Sequence, residues 1–285
     1  MQKIVILGAT GGVVKTIEEI RSNDRASEIT FLALDGYYPY NRDSFPELIT
    51  KQVSLNQVLC KPKDFYEKHR VKVVLDKKIV KVNFKKHKIF LENGEPMEYG
   101  LLLITDPPDY RFPEMKGIQR KGVLGTRKLS DILAMGDLMP ITETVVFQAE
   151  NLEVLKLAAA FLSIKKEVMI VSANKEMVSS ISSQENKSIN QALEENNLRF
   201  ITENPMVEIL GDVDVKAVRL QSGKVIATQM VIFTNTPEDF KLFADSPLKI
   251  NQKICVNAEF KTNIENVLAV HEAAELETVL KENQE

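Results

Sequence analysis

The pattern that most restricts the fold lies at the start of the chain, where a glycine-rich turn joins an apolar run to an amphipathic stretch. Residues 3–7 are mostly apolar, Gly8-Ala9-Thr10-Gly11-Gly12 follows them, and apolar residues then recur at helical spacing as far as residue 20. This order predicts a strand, a tight turn and a helix. A second apolar run at residues 29–34 ends at Asp35, close to the spacing at which a carboxylate reaches the ribose of an adenosine bound at such a turn. The opening therefore predicts a βαβ unit of the type that binds dinucleotides.

The same order of elements recurs in the second half of the chain. Residues 144–147 predict a strand, 152–164 a helix and 168–171 a second strand. A β-meander that returns to the sheet is predicted at 71–82, 88–91 and 101–105 around Glu92-Asn93-Gly94, and a hairpin at 215–220 with 225–233 around Gln221-Ser222-Gly223. The tail is expected to complete the first copy, with strands at 253–256 and 267–270 and a helix at 273–280. Such a repeat predicts two α/β domains of similar construction.

Composition limits the kinds of partner. The formal charge is −3, and Lys and Arg are dispersed among the acids, so a nucleic acid is not expected as a partner. No apolar run approaches the ~20 residues that cross a bilayer, and the chain starts directly in a strand, so we expect no membrane association and interpret the protein as cytoplasmic. Cys60 and Cys255 form no paired motif and the histidines are far apart, so neither a metal site nor a catalytic residue is assigned.

Five stretches, collinear along the chain, carry a resemblance to a known family. They are Tyr38-Pro39-Tyr40-Asn41-Arg42; residues 61–66; Gly94 with residues 99–105; residues 117–127 with 129–132; and residues 261–262 with 266–270. In this order they resemble the pyridine nucleotide-disulfide oxidoreductase superfamily. The similarity is greatest to the branch of rubredoxin reductases and the flavin domain of nitrite reductases, whose PPYSR loop the first stretch resembles.

The resemblance implies an α/β fold with two Rossmann-like, FAD/NAD(P)-binding domains, the second inserted in the first, each with a β-meander. The FAD-type domain is expected to comprise residues 1–112 plus 247–285, and the NAD-type domain residues 113–246. The resemblance also implies which residues would hold FAD: Gly8, Thr10, Gly11 and Gly12 at the pyrophosphate, Asp35 at the adenosine ribose, Arg42 near the flavin, Thr105 at a strand end and Glu272 at the ribitol.

The first domain departs from the family at several of these positions. Gly8, Thr10 and Val13 take the three places of the GxGxxG fingerprint. Asp106 stands where the family's ATG strand end has its glycine, and His271 replaces the glycine of its terminal GD. These changes leave two alternatives open, a domain that retains FAD and one that has lost it.

In the second domain all three fingerprint glycines are replaced, by Gln148, Glu150 and Glu153. At an effective dielectric constant of ~20 and a separation of ~4 Å, one acid repels a phosphate charge by about 4 kcal/mol, roughly a thousandfold in affinity. No basic residue is expected nearby to offset the acids, since Lys156 falls one turn further along the helix. The acids also suit an ordinary solvated first helical turn, which equally implies that the cleft has become surface. NAD(P) is therefore not expected to bind.

Three functions remain open. The first is a degenerate FAD-dependent oxidoreductase-like protein, an accessory or electron-transfer flavoprotein subunit that works with a protein partner and does not oxidise NAD(P)H directly. The second is a non-catalytic binding or assembly module with empty nucleotide clefts. The third is an atypical reductase that binds NADP through residues 8–12, although Val14 stands where its GxxGxxG turn needs a glycine. Neither enzymatic activity nor homo-oligomerisation follows from the sequence.

Overall fold

Two compact units make up the chain in the computed structural model, which describes residues 2–92, 94–151, 153–175, 195 and 197–277. Unit 1 comprises Met1–Asn41, Leu59–Tyr110 and Glu238–Glu285, and unit 2 comprises Arg42–Val58 and Arg111–Pro237. Each unit has a parallel sheet and a three-stranded antiparallel sheet. The predicted fold class, two Rossmann-like domains with the second inserted in the first and a β-meander in each, is thus confirmed. The contacts place residues 42–58 with unit 2, whereas the sequence-based limits include them in the FAD-type domain.

The elements are numbered in chain order. The strands are β1 (Lys3–Gly8), β2 (Glu28–Ala33), β3 (Val71–Val74), β4 (Ile79–Asn83), β5 (Lys88–Leu91), β6 (Met97–Glu98), β7 (Leu101–Ile104), β8 (Asp109–Tyr110), β9 (Val123–Gly125), β10 (Thr144–Gln148), β11 (Glu167–Val171), β12 (Leu198–Ile201), β13 (Met206–Leu210), β14 (Ala217–Leu220), β15 (Val225–Ala227), β16 (Met230–Phe233), β17 (Glu238–Asp239), β18 (Ile254–Val256), β19 (Val267–Ala269) and β20 (Ala274–Leu276). The helices are α1 (Gly11–Asn23), α2 (Phe45–Ile49), α3 (Leu55–Val58), α4 (Lys63–Lys68), α5 (Leu129–Leu138) and α6 (Val154–Ser163).

The parallel sheet of unit 1 has the strand order β19-β7-β1-β2-β3. β1 is buried from its second residue onward, because side chains cover both faces of this sheet. One face packs against α1 and α4 through Val13, Ile17 and Phe65, and the other packs against the antiparallel sheet β4-β5-β6. Because β1 pairs in parallel with β7, the turn after Gly8 lies beside the residues that follow Ile104.

Three segments of unit 1 differ from the prediction. Residues 71–82 are not one meander strand: β3 belongs to the parallel sheet, and the meander begins only at β4. The meander's last strand is β6, which was not predicted, whereas residues 101–105 return to the parallel sheet as β7. The helix predicted at 273–280 is wrong for Ala274–Leu276, which forms β20 in parallel with β18, while residues 278–280 lie outside the described residues.

Unit 2 repeats this construction. Its sheet has the order β12-β11-β10-β16-β9, with every pair parallel, and its meander is β13-β14-β15. The predicted strand 225–233 is split, because β15 pairs with β14 and β16 enters the parallel sheet beside β10. α2, from the segment 42–58, packs against α5 and α6.

Among the described residues, no helix has the length and apolar character needed to cross a bilayer.

Candidate functional site

The carboxyl ends of β1 and β7 meet at the glycine turn of unit 1. A Cβ atom on Gly8 would lie 2.1 Å from Thr105 Oγ1 and 2.4 Å from Val13 Cγ2. No side chain fits there, so glycine at this position is required by the close packing of the strand, the helix and the neighbouring strand end.

The carboxylate of Asp106 occupies this turn. Its Oδ2 accepts hydrogen bonds from the backbone N–H groups of Ala9 at 3.0 Å and Thr10 at 3.3 Å, and lies 2.7 Å from Thr105 Oγ1. Its Oδ1 accepts from the Thr10 hydroxyl at 2.6 Å. Asp106 is 1% exposed. The sequence identified this residue only as a lost glycine, because the pairing of β7 with β1, which brings its side chain to the turn, is not visible in the local pattern.

His271 lies against the same turn. A Cβ on Gly12 would come within 2.9 Å of the His271 ring, and His271 Nε2 lies 3.5 Å from Thr16 Oγ1. Its φ of +54° falls in the left-handed region that favours glycine. Desolvation and the charge of Lys15 lower the pKa of His271, while Asp106 opposes the shift.

These residues do not fit the pyrophosphate of FAD. A phosphate at a strand–turn–helix junction is bound by free N–H groups and by the positive end of the helix dipole. The N–H groups of Ala9 and Thr10 already donate to Asp106, and the exposed ring of His271 lies beside Gly12. The turn therefore carries an anion of its own in place of a ligand's.

Tyr40 links two of the predicted flavin contacts, because it forms a β-bridge with Thr10 and a hydrogen bond with Asp35. Asp35 accepts a hydrogen bond from the Tyr40 hydroxyl at 3.0 Å. A Cβ on Gly11 would lie 3.6 Å from the Cys60 sulfur, and Glu272 is half-buried in a short 3₁₀ turn. Arg42 belongs to unit 2, where its Nε donates to the backbone oxygen of Arg127 at 2.8 Å. The assignment of these residues to a flavin stays a prediction.

In unit 2 the corresponding turn between β10 and α6 also binds side chains of its own chain. The Glu150 N–H donates to Asn235 Oδ1 at 3.2 Å, and the Glu153 N–H donates to Asn151 Oδ1 at 3.1 Å. Gln148 Nε2 donates to Glu150 Oε1 at 3.0 Å. The three residues at the predicted glycine positions are thus tied into the turn by local hydrogen bonds.

A cavity of about 490 Å³ lies at the start of α6 within unit 2. Glu153 and Asp43 line it together with three cations, Arg42, Arg127 and Lys156. The prediction that no basic residue lies nearby is therefore wrong, because the tertiary fold brings Arg42 and Arg127 to the cavity from distant parts of the sequence. A basic residue just after β9 was the signal for Arg127 that the sequence analysis missed.

A second cavity of unit 2, of about 340 Å³, lies beside Gln148, Glu150 and Asn235. Gln148 Oε1 is buried there and has no hydrogen-bond partner among the described residues. Gln148, at the first glycine position of the fingerprint, therefore has a bonded amide nitrogen and a buried amide oxygen without a hydrogen-bond partner among the described residues.

Neither cysteine is suited to nucleophilic chemistry. Burial, reinforced by Asp106, raises the pKa of the Cys60 thiol, and burial likewise raises that of Cys255. Both effects disfavour the reactive thiolate. Within the described ranges, no cluster of three or more His, Cys, Asp or Glu side chains is placed to hold a metal ion.

Two parallel-sheet units with antiparallel meanders, one inserted in the other, define the fold of two-domain dinucleotide-dependent reductases. The chain belongs to the pyridine nucleotide-disulphide oxidoreductase family, whose model matches residues 2–282.

Three comparisons show proteins to which the chain is similar. It is 21% identical to the assimilatory nitrate reductase electron transfer subunit of Bacillus subtilis (strain 168), over 96% of this chain and 36% of that protein. It is 20% identical to rubredoxin-NAD(+) reductase of Ectopseudomonas oleovorans, over 95% of this chain and 71% of that one. The structure resembles the ferredoxin reductase for the CYP199A2 system of Rhodopseudomonas palustris, with a TM-score of 0.82, 19% identity, and coverage of 98% of this chain and 70% of that chain.

The chain spans about a third of the length of the nitrate reductase subunit. The named relatives are electron-transfer proteins or reductases, and one of them carries NAD(+) in its name. These names give no support to the expectation that NAD(P) is unused.

Proposed function

We propose that this protein is an accessory member of an electron-transfer oxidoreductase system, which works with a redox protein partner and does not itself oxidise NAD(P)H. The observation that carries the proposal is the turn between β10 and α6, where the N–H groups of Glu150 and Glu153 are bound to Asn235 and Asn151. The partner is suggested by the relatives, whose names include an electron transfer subunit and a rubredoxin reductase.

Side-chain bulk in this turn opposes nucleotide binding. Glycine at the second fingerprint position lets the backbone approach a pyrophosphate, and glycine at the third lets the helix pack closely on the strand. Glu150 and Glu153 hold these two places. A pyrophosphate would have to displace the Asn235 and Asn151 side chains and also move away from two carboxylates.

Electrostatics are a smaller part of the argument than the sequence suggests. Glu153 shares its cavity with three cations, Arg42, Arg127 and Lys156, whose charges offset the repulsion of a phosphate. Glu150 lies by the second cavity with Arg111. The proposal therefore depends mainly on the occupied N–H groups and the lost glycines. A displacement of ~1 Å at a reacting centre can reduce the rate ~100-fold, so a weakly bound nicotinamide would also be poorly placed.

Titration with NADH and NADPH tests the proposal directly. We expect nicotinamide fluorescence to show no saturable binding by the wild-type protein at micromolar concentrations, and anaerobic incubation to give no reduction of ferricyanide above the protein-free rate. Saturation in the micromolar range, with acceptor reduction, would overturn the proposal.

A triple variant, Gln148→Gly with Glu150→Gly and Glu153→Gly, tests the physical reason. We expect it to bind NADH at least about tenfold more tightly, a gain of about 1.4 kcal/mol. The matched control makes the same changes at exposed positions of unit 2, Gln221→Gly with Glu114→Gly and Glu143→Gly, and should leave NADH binding unchanged.

A further inference from the structure

Two side chains of unit 1, those of Asp106 and His271, lie against the turn that begins α1. We propose that Asp106 and His271 close this turn, so that the chain folds without FAD and binds no dinucleotide there. This inference concerns unit 1 alone and is independent of the proposal for the β10–α6 turn of unit 2.

Asp106 serves as the internal anion of the turn. Its carboxylate is almost fully buried and has four hydrogen-bond donors around it, two of them the backbone N–H groups of Ala9 and Thr10. Backbone N–H groups at a helix N-terminus are the groups that bind a dinucleotide phosphate. Two of the N–H groups that could bind a phosphate at this turn are therefore already bonded, to a residue 97 positions from Ala9 in the sequence.

The glycines that remain in this turn have reasons to persist without a dinucleotide. Gly8 is required because any side chain would overlap Thr105 and Val13, and Gly12 because a side chain would press on the His271 ring. Gly8 and Gly12 are thus explained by internal packing.

His271 is the second residue that lies against the turn. Its backbone adopts the left-handed conformation, with φ of +54°, that a glycine adopts without strain. The imidazole then extends over Gly12 and approaches Thr16 Oγ1. The exposed side chain of His271 therefore lies beside the helix N-terminus, on a main chain whose conformation favours glycine.

The expected effect on affinity is large. A phosphate held about 4 Å from the Asp106 carboxylate, at an effective dielectric constant of ~20, would bind roughly a thousandfold more weakly than at an uncharged turn. The bulk of His271 adds to this loss. The same closure acts against NADPH at residues 8–12, the third function that the sequence left open.

The experiment measures flavin binding by the full chain. The protein is purified from cells supplied with riboflavin, bound FAD is measured by absorbance and by chromatography after heat release, and binding of added FAD is followed by its fluorescence. We expect the wild-type protein to carry no FAD and to show no saturable binding of FAD or ADP at micromolar concentrations. The double variant Asp106→Gly/His271→Gly should bind FAD at least about tenfold more tightly.

Matched controls make the same substitutions elsewhere in unit 1. Asp76 is an exposed acid, and His87 has a φ of +50°, so Asp76→Gly and His87→Gly repeat the chemistry away from the turn. Neither should increase FAD binding. Stoichiometric FAD in the wild-type protein overturns the proposal, as does a folded double variant without tighter binding, or an equal gain in the controls.

A measurement on the wild-type protein keeps the inference testable if the double variant does not fold. Hydrogen exchange of the Ala9 and Thr10 amides should be slow in the absence of ligand, because both donate to a buried carboxylate. Millimolar ADP should leave their exchange unchanged. Fast exchange without ligand, or added protection by ADP, overturns the proposal.

Discussion

Replacement of Asp106 by alanine should destabilise unit 1. The variant leaves the Ala9 and Thr10 N–H groups and the Thr10 hydroxyl without their acceptor, at residues that are 6% and 9% exposed. The Thr105 hydroxyl keeps an alternative acceptor, Leu7 O at 3.1 Å. Each unsatisfied buried donor costs about 1–3 kcal/mol, and the desolvation penalty removed with the carboxylate offsets part of this loss. We therefore expect a net destabilisation of about 2–4 kcal/mol.

Asp106→Asn is the matched variant. Its amide oxygen can take the position of Oδ2 and accept from both N–H groups, while its NH₂ group faces the Thr10 hydroxyl oxygen, which can accept. Because every polar group at the turn can still be satisfied, we expect a cost of about 1 kcal/mol or less.

Hydrogen exchange with mass spectrometry is the suitable assay, because the two units need not unfold together and a single unfolding free energy is then not defined. Under conditions in which exchange is limited by unfolding equilibria, peptides from β1 and β7 should lose protection in Asp106→Ala, and peptides from β10 in unit 2 should not. Unchanged protection of β1 and β7 would refute the hydrogen-bond argument. An equal loss in Asp106→Asn would show that the charge, rather than the set of acceptors, stabilises the turn.

Three further predictions follow from named contacts. Burial and Asp106 raise the pKa of Cys60, so Asp106→Asn should lower that pKa. In a chain whose second cysteine is replaced by serine, alkylation by iodoacetamide at mildly alkaline pH should then be severalfold faster, and an unchanged rate would contradict the contact. Desolvation lowers the pKa of His271 in the folded protein, so acidification through the ordinary histidine pKa protonates the unfolded state first and should destabilise unit 1. Hydrogen exchange should then show a loss of protection in unit 1 at acidic pH, which His271→Asn should reduce. An identical pH profile in the variant would contradict the prediction. Phe161 packs edge-on against Phe147 in a fully buried core, with ring centroids 5.7 Å apart, so Phe161→Ala should lower the free energy of unfolding of unit 2 by about 3–5 kcal/mol. Hydrogen exchange of β10 should become faster while that of β1 is unchanged. A loss below about 1 kcal/mol would show that neighbouring side chains fill the cavity.

Local periodicity was sufficient for most of the fold. The strand–turn–helix–strand order at residues 3–34 and again at residues 144–171 depends on spacings within one element, and both copies form parallel pairs as predicted. The turn at residues 221–223, between β14 and β15, was also recognisable from sequence. Assignment of strands to sheets was less certain, since β7 and β16 alternate with meander strands along the chain but pair with β1 and β10.

Where a segment's partner is distant, its local pattern was misleading. Ala274–Leu276 has apolar spacing that suits a helix. The segment is nevertheless a strand, because its backbone pairs in parallel with β18. Tertiary pairing overrides weak local propensity over so short a length.

The amino-acid sequence by itself determined that this chain has two dinucleotide-type domains and that glycines are missing from both fingerprints. Only the tertiary structure decided which side chains from elsewhere in the chain lie against the two turns. The Asp106 carboxylate reaches the turn after β1 because β7 lies beside β1, and Arg42 and Arg127 share a cavity with Glu153 because the segment 42–58 packs on unit 2. A fingerprint motif indicates which residues of one turn can approach a phosphate. Hydrogen bonds and charges, however, act over a few ångströms in space, and those distances are set by the pairing of elements far apart in the chain.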